Sequence, residues 1–376
     1  MYLQRTDSML ALAEPPPPPP DSPAATRFVQ AHRGRFCTPG QAGFCAAIVA
    51  PRRIRRVVIH ALSSGGLNDC ANFGTVTDQV RGWQTAPANA ASAASAHYLV
   101  DRDGSATQMV REANVSFHAL LDSSDSIGIE HADICNKPDA YTTALYEGSA
   151  ALVRDIARRN HIPIRVFGID TNNIADATVV GHSTIDQANR DDPGPYWDWE
   201  YYAQLLRWDG VTQRTRPQRA VVMTAGAAAP PGWQARRRVD VQGENRACIP
   251  NAFCAQPRHS FGDTYWRARA NTPGKDMVFT LAVQAPGLYK ISLWWPHVAG
   301  ANPATLVQAE ALKGGGPARA NAAFDQTRNF GRWNDLGAPF TFDVPGGGAR
   351  VTVRLRRASR AAGWVLADAC RVLKVR

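Results

Sequence analysis

The stretch from Val179 to Pro195 constrains this chain more than any other. A short apolar run, Val179-Val180, leads through Gly181 into His182, and Pro193-Gly194-Pro195 then forbids continuation as a helix or a central strand. The segment between them is a loop held by turns, and it carries an imidazole (His182), a guanidinium (Arg190) and a carboxylate (Asp192). Nitrogen and oxygen donors of this kind suit zinc, and catalytic zinc takes three protein ligands while keeping a fourth position open. The third ligand has to come from elsewhere. His60 is the obvious donor, because the β-branched run Arg55 to Ile59 reads as a buried strand whose end presents the next residue.

The chain has 376 residues, which at about 100 to 200 residues per domain predicts two domains. The expected organisation is a disordered proline-rich leader (1–34), an α/β domain (35–210), a linker (211–237) and a second domain (238–376). The leader contains six consecutive prolines, Pro15 to Pro20, which favour polyproline II. The linker is assigned from its Ala, Pro, Gly and Arg composition. No apolar run reaches the roughly 18 to 20 residues of a membrane span, and Met9 to Ala13 is too short for a signal-peptide core. If the protein is exported, either the true start lies elsewhere or another route is used.

Within the first domain, Ser95 to Val100 and Ala106 to Val110 are predicted to pair as a hairpin, with Asp103-Gly104 in the turn. Ile127 to Glu130 is a further short strand. Tyr141 to Asn160 has helical spacing and is stopped by Pro163. Strands interleaved with helices imply an α/β fold. Beyond the linker, Met277 to Val283, Tyr289 to Trp295, Phe340 to Val344 and Val351 to Leu355 alternate with Pro/Gly turns, the pattern of an all-β sandwich.

Five motifs, in order over roughly residues 50 to 205, resemble the zinc N-acetylmuramoyl-L-alanine amidases of the amidase-2 type, a superfamily that includes peptidoglycan-recognition proteins. They are Val57 to His60, Ser95 to Gly104, Ser116 to Ala119, Ser126 to Glu130, and Gly181 to Ser183 running through to Asp192-Pro193-Gly194. The resemblance implies a central mixed β-sheet with flanking helices, with Zn2+ held by His60, His182 and Asp192. It implies Glu130 as the catalytic carboxylate and places Arg190 where bacterial members usually carry lysine. Arginine keeps the charge but does not donate a proton, so Arg190 is expected to stabilise an oxyanion rather than shuttle a proton. His118 and His97 are candidate substrate contacts. For His97 a structural reading stands alongside, as it does for His131 and His161. His131 follows Glu130 on a strand and should face the other way.

A second resemblance covers about 238 to 376. Phe261 to Trp266, Gly287 to Pro296, Phe324 to Gln326 with Gly331 to Gly337, and Trp364 to Ala369 are similar to the golvesin-type C-terminal domain and the carbohydrate-binding-like domain of xanthan lyase. It implies a β-sandwich that either binds glycan or spaces the enzyme from it. Trp294 and Trp295 are adjacent on one strand and must face opposite ways, which sends at least one to the core.

Charge divides the chain. Residues 211–376 hold 24 Lys+Arg and 9 Asp+Glu, net +15, against net −5 for residues 1–210. The basic half suits an acidic polymer, and no nucleic-acid-binding motif is present. Of seven cysteines, Cys37/Cys45 and Cys248/Cys254 read as local disulfides of an oxidising compartment, Cys70/Cys135 as a weaker pair, and Cys370 as a buried thiol. The expectation is a monomeric, secreted or periplasmic zinc amidase acting on bacterial peptidoglycan. Its rivals are a non-catalytic recognition protein and the same enzyme deployed as a lytic effector.

Overall fold

The strand that ends in His60 lies inside a six-stranded mixed sheet of the order Arg27–Phe28, Ala106–Gln108, Tyr98–Val100, Ser126–His131, Arg56–Ala61, Val179–Gly181. The computed structural model describes residues 18–62, 76–85, 94–132, 140–186, 190, 192–194, 196–212, 216–225, 230–237, 261, 264–283, 288–312, 318–336, 341–343 and 349–375. Only the expected hairpin, Tyr98–Val100 with Ala106–Gln108, pairs antiparallel; every other neighbour in this sheet is parallel. The hairpin turn needs Gly104 twice over. Its φ is +86°, and an added Cβ would lie 2.5 Å from the Ala144 carbonyl oxygen.

Strands buried on both faces read as apolar runs, and Val57, Val58, Ile59, Ile127 and Ile129 are all in the core. At about 1.5–3 kcal/mol for each buried large aliphatic side chain, these residues fix the register of the central strands. The helix Thr143–Arg159 covers the sheet with a stripe at helical spacing: Leu145, Tyr146, Ser149, Leu152, Val153 and Ile156. Thr142 caps it by accepting from the Leu145 amide at 3.1 Å. A third element, the helix Trp199–Arg207, buries Tyr201, Tyr202, Leu205 and Leu206.

Among the described residues the C-terminal half is all β, as expected. Met277–Val283, Ala349–Leu355, Thr305–Leu312 and Ala318–Phe324 form one antiparallel sheet. A second sheet is built around Leu288–Trp294 and Ala369–Lys374. Phe279, Leu281, Ile291, Leu293, Val351, Val353 and Val372 meet in one core. Met277–Val283 alternates buried and exposed at every residue, the period-2 signature of a strand with one wet face.

Two expectations about segment boundaries are corrected. The segment 18–34 is docked rather than disordered. Arg27–Phe28 pairs with Thr107–Gln108, and the Asp21 carboxylate accepts from Gln108, Arg111 and the Glu112 amide. Its polar, proline-rich composition hides an edge strand whose backbone partners lie some 80 residues downstream. Residues 1–17 lie outside the described residues. Similarly, the segment 211–237 is not a free linker. Val221–Thr224 pairs with Ala369–Val372, and Gln234–Arg237 pairs with Thr264–Arg269. The short run Val221–Thr224 is set among Ala, Pro and Gly, and Gln234–Arg237 carries no β-branched residue to mark it as a strand.

Candidate metal centre

His60, Glu130 and His182 all emerge at the C-terminal ends of neighbouring parallel strands, where open sheets of this kind place their ligands. His60 and Glu130 are register partners on adjacent strands, so their side chains share a face. His182 follows Gly181 at the end of Val179–Gly181 and opens a four-residue helix, His182–Ile185. That single turn carries the chain towards Asp192, whose carbonyl accepts from the Ser183 amide at 2.9 Å. The Tyr141 hydroxyl donates to the Pro193 carbonyl at 2.6 Å and fixes the other side of the turn.

The donors converge. One atom each from His60, His182 and Asp192 lies within 4.8 Å of the others, and all three side chains are buried. His60 Nδ1 is 2.9 Å from Asp192 Oδ2, and His182 Nδ1 is 3.2 Å from Oδ1 and 3.3 Å from Oδ2. Burial opposes ionisation of Asp192, but the neighbouring His182 and His60 hold its carboxyl well below the usual carboxylate range. Burial also lowers the pKa of His60, against the neighbouring Asp192 carboxylate, which raises it.

The hydrogen-bond network assigns the tautomers. The Ser126 hydroxyl donates its proton to the Asp122 carbonyl, so towards His118 Nε2, at 3.2 Å, it accepts. His118 therefore carries its proton on Nε2 and presents a bare Nδ1. That nitrogen accepts from His60 Nε2–H at 3.0 Å. A neutral His60 then has a lone pair on Nδ1, aimed at a carboxylate oxygen. Two acceptors 2.9 Å apart need either a shared proton or a metal ion beside them, and the donor set suits the latter. Asp192 Oδ1 is buried without a hydrogen bond, a second sign that the donor set fits a divalent ion. Two imidazoles and one carboxylate are a zinc-type set.

His118 thus touches a candidate ligand, a contact that sequence reasoning missed in treating it as a cleft-lining residue. Its ring lies directly on Gly128, where an added Cβ would meet it at 2.4 Å. The glycine inside Ser126-Ile127-Gly128-Ile129-Glu130 was the signal: a glycine within a strand marks close approach of another group.

His97 is fully buried. Its Nε2 is 2.7 Å from Arg52 Nη2, and its Nδ1 is 2.7 Å from Ser116 Oγ and 3.1 Å from the Gly128 amide. This corrects the expectation of a substrate contact, because both ring nitrogens are taken up inside the protein. Burial and the Arg52 charge push its pKa well below the ordinary histidine value. His131 faces away from the site, as alternation predicts. Its Nδ1 is 2.8 Å from the His60 carbonyl and its Nε2 is 2.7 Å from Ser149 Oγ. Arg190 is exposed, and its charge contributes to the lowering at His60.

Of the cysteine expectations, Cys37–Cys45 is a disulfide and Cys370 is a buried free thiol whose pKa burial pushes up. The other four cysteines lie outside the described residues. Trp294 and Trp295 are both buried, so neither is available to stack on a sugar. Trp295 enters the sandwich core against Phe324, whereas Trp294 packs with Tyr196, Phe261 and Trp333. Among the described residues no helix is long and apolar enough to cross a membrane.

Residues 50–195 match the family described as N-acetylmuramoyl-L-alanine amidase, and residues 253–374 match the Golvesin C-terminal domain. N-acetylmuramoyl-L-alanine amidase A of Achromobacter lyticus is 33% identical over 130 residues, covering 32% of this chain and 73% of that protein. Among solved structures, an N-acetylmuramoyl-L-alanine amidase from Clostridium intestinale is similar at 15% identity and a TM-score of 0.28, over 46% of this chain and 93% of that one. A Paenibacillus xanthan lyase is similar at 22% identity and a TM-score of 0.28, over 42% of this chain and 13% of that one.

Proposed function

This chain belongs to the N-acetylmuramoyl-L-alanine amidase family, and from that premise we propose that it hydrolyses the amide between N-acetylmuramic acid and L-alanine in peptidoglycan at a zinc centre held by His60, His182 and Asp192. The observation that carries this reading is the convergence of three buried donors, His60 and His182 from parallel strand ends and Asp192 from the loop that follows, with Glu130 in register beside His60.

Zinc held by His60, His182 and Asp192 would supply Lewis-acid chemistry there, the activation of water near neutral pH and the polarisation of the scissile carbonyl. The chain's own residues do the rest. Glu130 takes the proton of the attacking water and returns it to the leaving L-alanine nitrogen. The Arg190 guanidinium meets the charge that develops on the carbonyl oxygen. His118 holds His60 in the tautomer that leaves Nδ1 free for the metal. The basic C-terminal half contacts the acidic polymer, and the whole acts in the cell envelope.

The test is digestion of purified peptidoglycan with and without chelator, followed by mass spectrometry of the released fragments. Stem peptides beginning with L-alanine, lost with chelator and restored by zinc, are the expected result. Retention on the wall with no release overturns the reading in favour of a recognition protein.

A further inference from the structure

The segment that follows Asp192 is gripped from two sides. Trp197 enters the amidase core, where its ring lies 4.7 Å from His131, 4.9 Å from Tyr141 and 4.6 Å from Tyr146. Tyr196, one residue earlier, leaves that core. It is buried among side chains of the β-sandwich, stacked on Trp294 at 6.5 Å and edge-on to Phe261 at 5.2 Å, with Trp333 closing the cluster. Beyond it, Asp198 and Glu200, at the start of the next helix, also meet the sandwich.

Arg371 meets them from the sandwich. Its side chain is only 4% exposed, Nη2 donates to Glu200 at 2.7 Å, and Nη1 lies 3.5 Å from Asp198. Its guanidinium also sits 4.9 Å from the centre of the Trp333 ring. Lys290 pairs with Glu200 at 3.1 Å and with Asp335 of the sandwich. A buried arginine is costly unless it is paired, so these contacts hold only while the two halves stay docked. Asp198 is in addition the N-cap of the Trp199–Arg207 helix, accepting from the Tyr201 amide at 3.1 Å. The same few residues thus end the metal-ligand loop, start a helix and bind the second domain.

We infer that the β-sandwich braces the Asp192 loop, with Arg371, Trp294 and Trp333 acting as positioning residues for the metal centre in addition to any contact the domain makes with the wall. A tethered anchor needs no such junction. Its loss would weaken attachment to polymer and leave the affinity for metal and small substrates unchanged. A brace predicts the opposite pattern. Outer partners that orient metal ligands are worth roughly 10- to 100-fold in affinity, and this grip begins four residues from Asp192. The zinc arm of the inference rests on the function proposed above; the loop-ordering arm does not.

The experiment compares the full-length wild type with Arg371→Met and Trp333→Ala, and with Glu200→Gln as an isosteric change made from the amidase side. Three quantities are read: hydrogen exchange of backbone amides across 183–200 in metal-free protein, the zinc dissociation constant by chelator competition, and turnover of a soluble N-acetylmuramoyl dipeptide. Exchange across the Thr143–Arg159 helix reports whether each variant is folded. The expected result is faster exchange confined to the loop, with zinc affinity and soluble turnover each falling about tenfold. A folded variant with unchanged loop exchange and unchanged zinc affinity overturns the inference, whatever happens to sedimentation with insoluble peptidoglycan. If Arg371→Met or Trp333→Ala fails to fold, Glu200→Gln decides. If the wild type binds no zinc, the proposed function fails, and the exchange measurement still decides whether the loop is braced.

Discussion

The two halves of this molecule bury polar groups for different purposes. In the sandwich, buried polar side chains satisfy backbone groups of distant segments: Gln326 donates to the Leu366 carbonyl and accepts from its amide, and Arg357 donates to the Pro273 carbonyl. In the amidase half they are titratable and stacked in depth, from Arg52 through His97 and His118 to His60 and Asp192. Such a column costs desolvation at every step, and a fold that needed only stability would fill the space with apolar groups. The contrast locates the chemistry. It also singles out Arg371, the sandwich's buried cation that points at the other half.

The strongest way to break this contrast is to remove a ligand. Asp192→Ala is expected to lose zinc affinity by more than the roughly 100-fold that outer partners contribute, and to abolish turnover. Dialysis followed by metal analysis checks the first and peptide release the second. An active, zinc-replete Asp192→Ala enzyme removes the metal centre from the argument. Glu130→Gln separates binding from chemistry. Zinc content should stay at the wild-type level while turnover drops about 100- to 10,000-fold, the range for a lost general acid-base group.

His118→Phe tests the depth of the column. The ring volume is nearly kept against Gly128, but the acceptor for His60 Nε2–H is gone. Zinc affinity should fall about 10- to 100-fold, with turnover recovering at saturating zinc. Unchanged affinity would reduce His118 to a packing residue.

These residues also show what the sequence reveals and what it hides. The convergence of His60, His182 and Asp192 was legible because each follows a β-branched strand or precedes a proline stop, signals that need no partner to be seen. His60, Glu130 and His182 fall where parallel strands end, and the alternation that sends His131 to the far face is a local rule. The interface was not legible. Tyr196 belongs to a run of aromatics, Tyr196-Trp197-Asp198-Trp199, whose members look alike until two cores compete for them. Trp294 was equally ambiguous, because alternation fixes opposite faces for it and Trp295 without saying that both faces are covered. Val221–Thr224 escaped for a related reason. A strand recruited across nearly 150 residues has no neighbour in sequence to declare its register.

Acid should separate the halves. Burial holds the folded-state pKa of His97 well below the ordinary histidine value and that of His131 at about 3. The unfolded chain therefore binds protons that the folded chain refuses. Stability contributed by keeping these rings neutral is present above pH ~6.5 and is lost as pH falls from there towards about 3, on the order of a few kcal/mol. The depressed Asp192 carboxyl acts in the same direction at lower pH, its contribution fading as pH falls below about 4. Calorimetry of the full chain between pH 8 and pH 4 should show the amidase transition moving down in temperature faster than the sandwich transition. Parallel movement of the two would mean that the histidine column is not what distinguishes them.

The smallest expected effect concerns the disulfide. Cys37–Cys45 closes a short loop of sequence separation 8, and Cys37 lies on a two-stranded pairing with Val115, two residues before Phe117 and three before His118. By the chain-entropy account, a loop of this size is worth about 2–3 kcal/mol. Reduction should cost the amidase transition that amount, a few degrees, and leave the sandwich transition in place. The column itself should hold, because His118 is fixed by Ser126, His60 and the Ser123 hydroxyl, which accepts from its amide at 3.3 Å, and none of these depends on the bridge. Zinc affinity measured before and after reduction checks that independence. A drop of tenfold or more would mean that the Cys37 loop, like the sandwich, helps to hold the site in place.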